Sequence, residues 1–162
     1  MNYKQKFFDI YKNVPADEIN AEIDFVIELL TGYKAKDFIM GKTLTPEEEK
    51  KIGEVLRERV RTNKPMQYIT EEAFFCGRKY YVNEYTLIPR PETEFLVQEC
   101  VDLNKKESPK ILDIGTGSGC IAIELALRLK NALITACDIC QQVVDIASKN
   151  ADRYGVSGRI NF

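Results

Sequence analysis

Apolar positions in the first seventy residues recur three and four apart, the spacing of helix faces that pack on one another. Phe7, Ile10, Tyr11 and Val14 form one such set, ended by Pro15. A second predicted helix begins near Asp17, carries Ile19, Ile23, Val26, Ile27 and Leu30 on one face, and stops at Gly32. A third starts at Thr45 as N-cap, with Pro46 in the first turn and Glu48 three residues on, a capping box, and its apolar face is Ile52, Val55, Leu56 and Val60. Three amphipathic helices can bury one another's stripes as a small bundle. Near Lys64 and Pro65 the pattern changes. Residues 73–76 and 79–82 are short aromatic runs around Gly77-Arg78, which predicts a hairpin. After Pro89 and Pro91 a helix runs through Phe95, Leu96, Cys100 and Val101. Then come a strand over 110–114, the turn Gly115-Thr116-Gly117-Ser118-Gly119, and a helix over 120–130 with Ile121, Leu125 and Leu129 in phase. A strand over 132–137 closes with Asp138, a helix runs from Gln141 to Tyr154 with Gly155 as its stop, and a third strand begins at Ile160. Strand, helix, strand, helix, strand is the opening of a parallel, doubly wound α/β sheet.

Composition narrows the chemistry. The 162 residues are 44% hydrophobic and 30% charged, which fits a soluble globular chain of one or two domains. The net charge of −2 offers no broad basic surface, so neither direct nucleic-acid binding nor membrane binding is expected. Residues 1–6 lead into an amphipathic stretch, so no secretory signal is expected. Histidine is absent, which removes Ser-His and Cys-His catalysis and any His-ligated metal, and no metal site is expected. The five cysteines, Cys76, Cys100, Cys120, Cys137 and Cys140, are odd in number and irregularly spaced, so reduced thiols in a cytoplasmic protein are expected. Cys137 and Cys140 have the spacing of a redox or zinc pair but lack a second pair, so Cys137 reads as strand interior and Cys140 as a helix start.

The glycine turn carries the candidate chemistry. A turn from the carboxyl end of a parallel strand into a helix presents free N–H groups and the positive end of a dipole, and so suits an anionic group. Glycines admit close approach and positive φ. An acid ending the next strand, here Asp138, is placed to take both hydroxyls of a ribose. A P-loop needs Gly-Lys-Ser/Thr after its glycines, but Cys120 follows Gly119. A dinucleotide fingerprint needs Gly-x-Gly-x-x-Gly, and position 120 breaks it. Asp113 followed by Gly-x-Gly-x-Gly suits S-adenosylmethionine better: the turn would meet its carboxylate and Asp113 its ammonium. The alternative is a glycine-rich turn with no ligand.

Three stretches then carry a resemblance: Pro65-Met66-Gln67-Tyr68-Ile69, Leu87-Ile88-Pro89-Arg90-Pro91-Glu92-Thr93-Glu94, and residues 111–119, continued by Asp138 and the 141–155 helix. Over nearly its whole length the chain resembles the HemK/PrmC-type release-factor glutamine methyltransferases. The proline-arginine run is the more specific signal, because many methyltransferases share the glycine turn. The resemblance implies an α/β chain with a small N-terminal helical bundle over 1–72 that docks substrate. A β-hairpin linker over 73–88 and a truncated Rossmann-like class I methyltransferase domain over 89–162 follow. It implies methyl transfer from S-adenosylmethionine to the glutamine amide in the Gly-Gly-Gln motif of a class 1 peptide chain release factor. Asp113, Gly115, Thr116, Gly117, Ser118, Gly119 and Asp138 would hold the cofactor. Arg90, fixed between two prolines, would border its pocket, or else belong to a rigid linker with solvated charges.

One departure matters. The family carries Asn-Pro-Pro-Tyr after its fourth strand, and this chain has none. A carboxamide nitrogen is a poor nucleophile, and that motif would aim it at the methyl group. No catalytic residue is therefore assigned, and the chain alone is expected to be inactive. Two complete strands and a fragment are a thin basis for a sheet, so Ile111, Leu112, Ile114, Ile121 and Ile134 are expected to lose part of their cover, giving either a partly ordered second region or self-association. Two other readings are a methyltransferase of exocyclic amines in nucleic acid and a release-factor-binding module without catalysis.

Overall fold

The computed structural model describes residues 3–11, 16–104 and 106–162. The chain divides into two compact units, residues 1–70 and 71–162.

The first unit is helical: α1 (Gln5–Phe8), α2 (Ala16–Thr31), α3 (Ala35–Ile39), α4 (Pro46–Thr62) and α5 (Met66–Thr70). The capping box at the start of α4 is formed as expected. Thr45 Oγ1 accepts the Glu48 N–H at 3.2 Å and Glu48 Oε2 accepts the Thr45 N–H at 2.7 Å. Gly32 ends α2 in the left-handed region, at φ 76°. The core joins Phe7 and Tyr11 to Ile19, Ile23, Val26 and Ile27 of α2, Ile52 and Leu56 of α4, and Met66. Glu22 ties α2 to α4 by accepting from the Tyr11 hydroxyl at 2.6 Å and from Arg59 Nε at 2.9 Å. Three expectations change. The first helix is a single turn, with Val14 and Pro15 outside the described residues. Leu29 rather than Leu30 is buried in α2, and Val60 of α4 is exposed, because each apolar stripe drifts off its helix face near the end. The short helices α3 and α5 join the three that periodicity predicts.

The second unit opens with the hairpin β1 (Glu72–Phe75) and β2 (Arg78–Tyr81). Phe75 pairs with Arg78, so the two-residue loop is Cys76-Gly77, one residue earlier than expected. Both have positive φ, 49° and 73°, the geometry of a type I′ turn. Helix α6 (Pro91–Leu103) follows, as expected; it buries Val97, while Phe95 and Leu96 are exposed. The parallel sheet has the order β3 (Lys110–Ile114), β4 (Leu133–Cys137), β5 (Ile160–Asn161), joined through α7 (Cys120–Arg128) and α8 (Gln141–Arg153). Right-handed crossovers in a sheet that grows in one direction place both helices on the same face. Ile134 and Ala136 are therefore buried, whereas Leu112, Ile114 and Leu133 on the other face are exposed. Ile134, expected to be partly bare, is covered. Phe75 and Tyr80 of the hairpin share one core with Ala122, Ile123 and Leu125 of α7. No described helix is long and apolar enough to cross a membrane.

Candidate functional site

Strand β3 ends at Ile114, and the backbone then turns through Gly115, Gly117 and Gly119 at φ 75°, 57° and 79°. A side chain at these positions would be strained. The Gly115 and Thr116 N–H groups both donate to the Cys137 carbonyl, at 2.9 and 3.0 Å, which carries the β3–β4 ladder past the strand. The Gly119 N–H donates to the Thr116 carbonyl at 2.9 Å, and Gly119 caps α7. The glycines serve different ends. A Cβ on Gly115 would meet nothing within 4 Å, and one on Gly117 only the Gly115 carbonyl at 4.0 Å. One on Gly119 would lie 3.0 Å from Ala147 Cβ. The first two glycines face open space and the third lets α8 pack close.

Two carboxylates border the turn. Asp113 Oδ2 accepts the Thr116 hydroxyl at 2.8 Å. Asp138 Oδ2 accepts the Gly117 N–H at 3.1 Å, and its Oδ1 accepts the Cys140 N–H at 3.4 Å. Both acids are half-buried, so each keeps an oxygen lone pair within reach of solvent or a ligand. The Ser118 hydroxyl is buried without an oxygen or nitrogen partner and lies beside the Cys120 thiol, which burial pushes up to about 11.

The structure thus brings together Asp113, Gly115, Thr116, Gly117, Ser118, Gly119 and Asp138. Arg90 is not joined to them by a hydrogen bond: it is exposed at the N-cap of α6. Its run is anchored instead by Glu94, whose Oε1 accepts the Cys76 N–H at 2.8 Å. Cys137 is exposed at the end of β4, not interior as expected, because its side chain falls on the uncovered face; Cys140 caps α8 as expected. Among the described residues, no group of three His, Cys, Asp or Glu is placed to hold a metal ion.

Residues 91–162, which include β3, the turn and Asp138, match the family model described as ribosomal protein L11 methyltransferase (PrmA). The release factor glutamine methyltransferase of Chlorobaculum tepidum is 47% identical over 127 residues, covering 75% of this chain and 43% of that protein. That of Flavobacterium psychrophilum is 39% identical over 156 residues, covering 93% of this chain and 55% of that protein. Over three quarters or more of its length the chain is similar to these release factor glutamine methyltransferases. It spans about half the length of the curated relatives it matches. A solved structure described as a transferase of Pyrococcus horikoshii superposes with a TM-score of 0.50 at 15% identity, over 86% of this chain and 62% of that one, and shows the fold alone. The second unit of this release factor glutamine methyltransferase homologue accordingly holds a three-stranded parallel sheet of Rossmann-like order.

Two polar residues of that unit went unnoticed in the sequence. Asn150 of α8 is fully buried and bonded to both Tyr81 and Ser118. Glu124 of α7, also fully buried, accepts from Tyr80 at 2.8 Å, from Arg78 at 3.1 Å and from Arg128 at 3.4 Å. The signal was available: each sits in helical phase with small or apolar residues, and a polar group in such a stripe needs partners.

Proposed function

We propose that this chain binds S-adenosylmethionine and docks a class 1 peptide chain release factor, in an enzyme that methylates the glutamine amide of the Gly-Gly-Gln motif. The carrying observation is the joint geometry of an open glycine turn and Asp138, which meets it at Gly117 from the neighbouring strand. That cradle has the empty space over Gly115 and Gly117 that a ligand backbone needs, with an acid on either side. When bound, the cofactor supplies a methyl group activated on a sulfonium.

The chain's own residues bind and orient. The positive end of the α7 dipole suits the carboxylate of the methionine part, and Thr116, Gly117, Ser118 and Gly119 shape that contact. Asp113, oriented by Thr116, faces the ammonium. Asp138 takes ribose hydroxyls while keeping its hold on Gly117. Arg90 borders the pocket, and residues 1–72 dock the release factor. The hairpin over 73–88 links that region to the methyltransferase domain over 89–162. No residue is assigned to catalysis.

Calorimetric titration with S-adenosylhomocysteine tests the turn, and titration with a class 1 release factor tests the docking surface. Saturable binding of each is expected. Absence of nucleoside binding at millimolar ligand would remove the cofactor reading. Methyl transfer to a release factor by the chain alone would overturn the expectation that it is inactive by itself.

A further inference from the structure

The structure assigns a positioning role to Asn150: its carboxamide latches the cofactor turn to the β-hairpin and holds the Ser118 peptide in its binding orientation. The inference rests on the reading of residues 115–119 as the cofactor turn. Asn150 lies in the last turn of α8 with no exposed surface. Its side chain has two N–H donors and one oxygen acceptor, and all are engaged. Nδ2 donates to the Ser118 carbonyl at 2.8 Å and to the Tyr81 carbonyl at 2.9 Å, while Oδ1 accepts the Tyr81 N–H at 2.7 Å. Toward Tyr81 the amide therefore imitates a neighbouring strand, adding a rung to β2 on the edge away from Glu72, its β1 partner.

Toward the turn it does something else. Ser118 lies between Gly117 and Gly119, both in the left-handed region. A peptide flanked by glycines has little steric resistance to flipping. The peptide unit from Ser118 to Gly119 is planar, so its carbonyl and N–H move together. Asn150 holds the carbonyl, and the Thr116 carbonyl holds the Gly119 N–H at 2.9 Å. Held at both ends, the unit keeps its orientation before any ligand arrives, and preorganisation of this kind raises affinity by removing an ordering cost. A leucine at 150 would fill similar volume and release the carbonyl.

The test uses the 162-residue chain with S-adenosylhomocysteine as probe, and compares Asn150→Leu with Tyr80→Phe. Tyr80→Phe removes a buried hydrogen bond from the same unit, to Glu124, without touching the turn. Each variant is followed by calorimetry, chemical denaturation and the ligand-free amide resonances of Gly117 and Gly119. Asn150→Leu should weaken binding about tenfold and move both glycine resonances. Tyr80→Phe should lower stability yet leave affinity within about twofold and the resonances in place. Equal affinity losses in the two variants, or unmoved glycine resonances in Asn150→Leu, would overturn the proposal. If the unmodified chain binds no S-adenosylhomocysteine, the cofactor reading fails, and the glycine resonances still decide whether Asn150 holds the turn. If Asn150→Leu does not fold, the unmodified chain decides. Slow exchange of the Asn150 Nδ2 protons, with through-bond coupling to the Ser118 and Tyr81 carbonyls, is expected, and fast exchange without coupling sinks the latch.

Discussion

Asp138 at the end of β4 accepts the Gly117 N–H at 3.1 Å, so the acid of one strand is fastened to the turn that leaves its neighbour. The bond fixes the distance between the two ligand-facing parts of the cradle. Asp138→Ala should remove both this tie and the ribose acceptor. Hydrogen bonds to a charged group contribute roughly 1.5–3 kcal/mol each, so affinity for S-adenosylhomocysteine should fall about 10- to 100-fold. Asp138→Asn keeps one acceptor oxygen and should fall between the two. Calorimetry on the three chains checks the order, and an unchanged affinity in Asp138→Ala would remove Asp138 from the site.

The glycines separate stability from binding. At Gly119 an added methyl meets Ala147 at 3.0 Å and also forces a non-glycine residue to φ 79°. Left-handed strain of about 1–2 kcal/mol and overpacking of about 1–3 kcal/mol then add. Gly119→Ala should cost about 2–5 kcal/mol in urea denaturation. At Gly115 only the strain applies, because nothing lies within 4 Å. Gly115→Ala should cost about 1 kcal/mol of stability and reduce cofactor affinity, since its methyl occupies the ligand's side of the turn. The reverse ranking of stabilities would show that α7 and α8 are not packed as described.

Features that depend on a few adjacent residues were legible in the sequence. The Thr45–Glu48 box and the 115–119 turn each follow from a local backbone demand that few residue types meet. What escaped depends on partners far along the chain. Asn150 acquires its meaning from Ser118, 32 residues away, and Tyr81, 69 away. Glu124 acquires its own from Tyr80 and Arg78, 44 and 46 away. Five-residue helices such as α3 and α5 are too short to show a period. The placement of Cys137 followed from which sheet face the crossover helices cover, a property of topology rather than of residue type.

Cys120 gives a pH signature. Burial is the main cause that pushes its thiol from 9.0 up to about 11, with Asp113 adding to the rise and the Ser118 hydroxyl opposing it. Between those values the unfolded chain releases a proton that the folded chain keeps, so deprotonation favours unfolding. The contribution is fully present below about pH 9 and is lost as pH rises toward 11, a change on the order of 2 kcal/mol. Urea denaturation at intervals from pH 8 to 11 should show a steeper fall for the unmodified chain than for Cys120→Ala. Burial of Tyr80 and Tyr11 raises their hydroxyls as well, so both chains lose stability and the difference between them isolates Cys120. Parallel slopes would mean that the thiol is not protected. In the folded chain at pH 8, iodoacetamide should label exposed Cys137 well before Cys120.

The uncovered sheet face makes a further demand. Leu112, Ile114 and Leu133 are 60%, 76% and 61% exposed, and the β3–β4 register sets Ile114 beside Cys137, also exposed. Adjacent apolar side chains on one flat face make a continuous patch, not scattered single residues, and such patches drive association. The opposite face is filled by Ile134 and Ala136 under the helices, so the alternation along β4 leaves no polar residue but Thr135 to interrupt the patch on that strand. The chain should therefore self-associate with rising concentration in sedimentation equilibrium. The double variant Leu112→Lys with Ile114→Glu should shift the distribution toward monomer. Partly buried Ile111 and buried Ile134 lie on the other face, so its urea midpoint should stay close to that of the unmodified chain. A monodisperse monomer at tens of micromolar for the unmodified chain, or an unchanged distribution in the double variant, would show that this face does not mediate association.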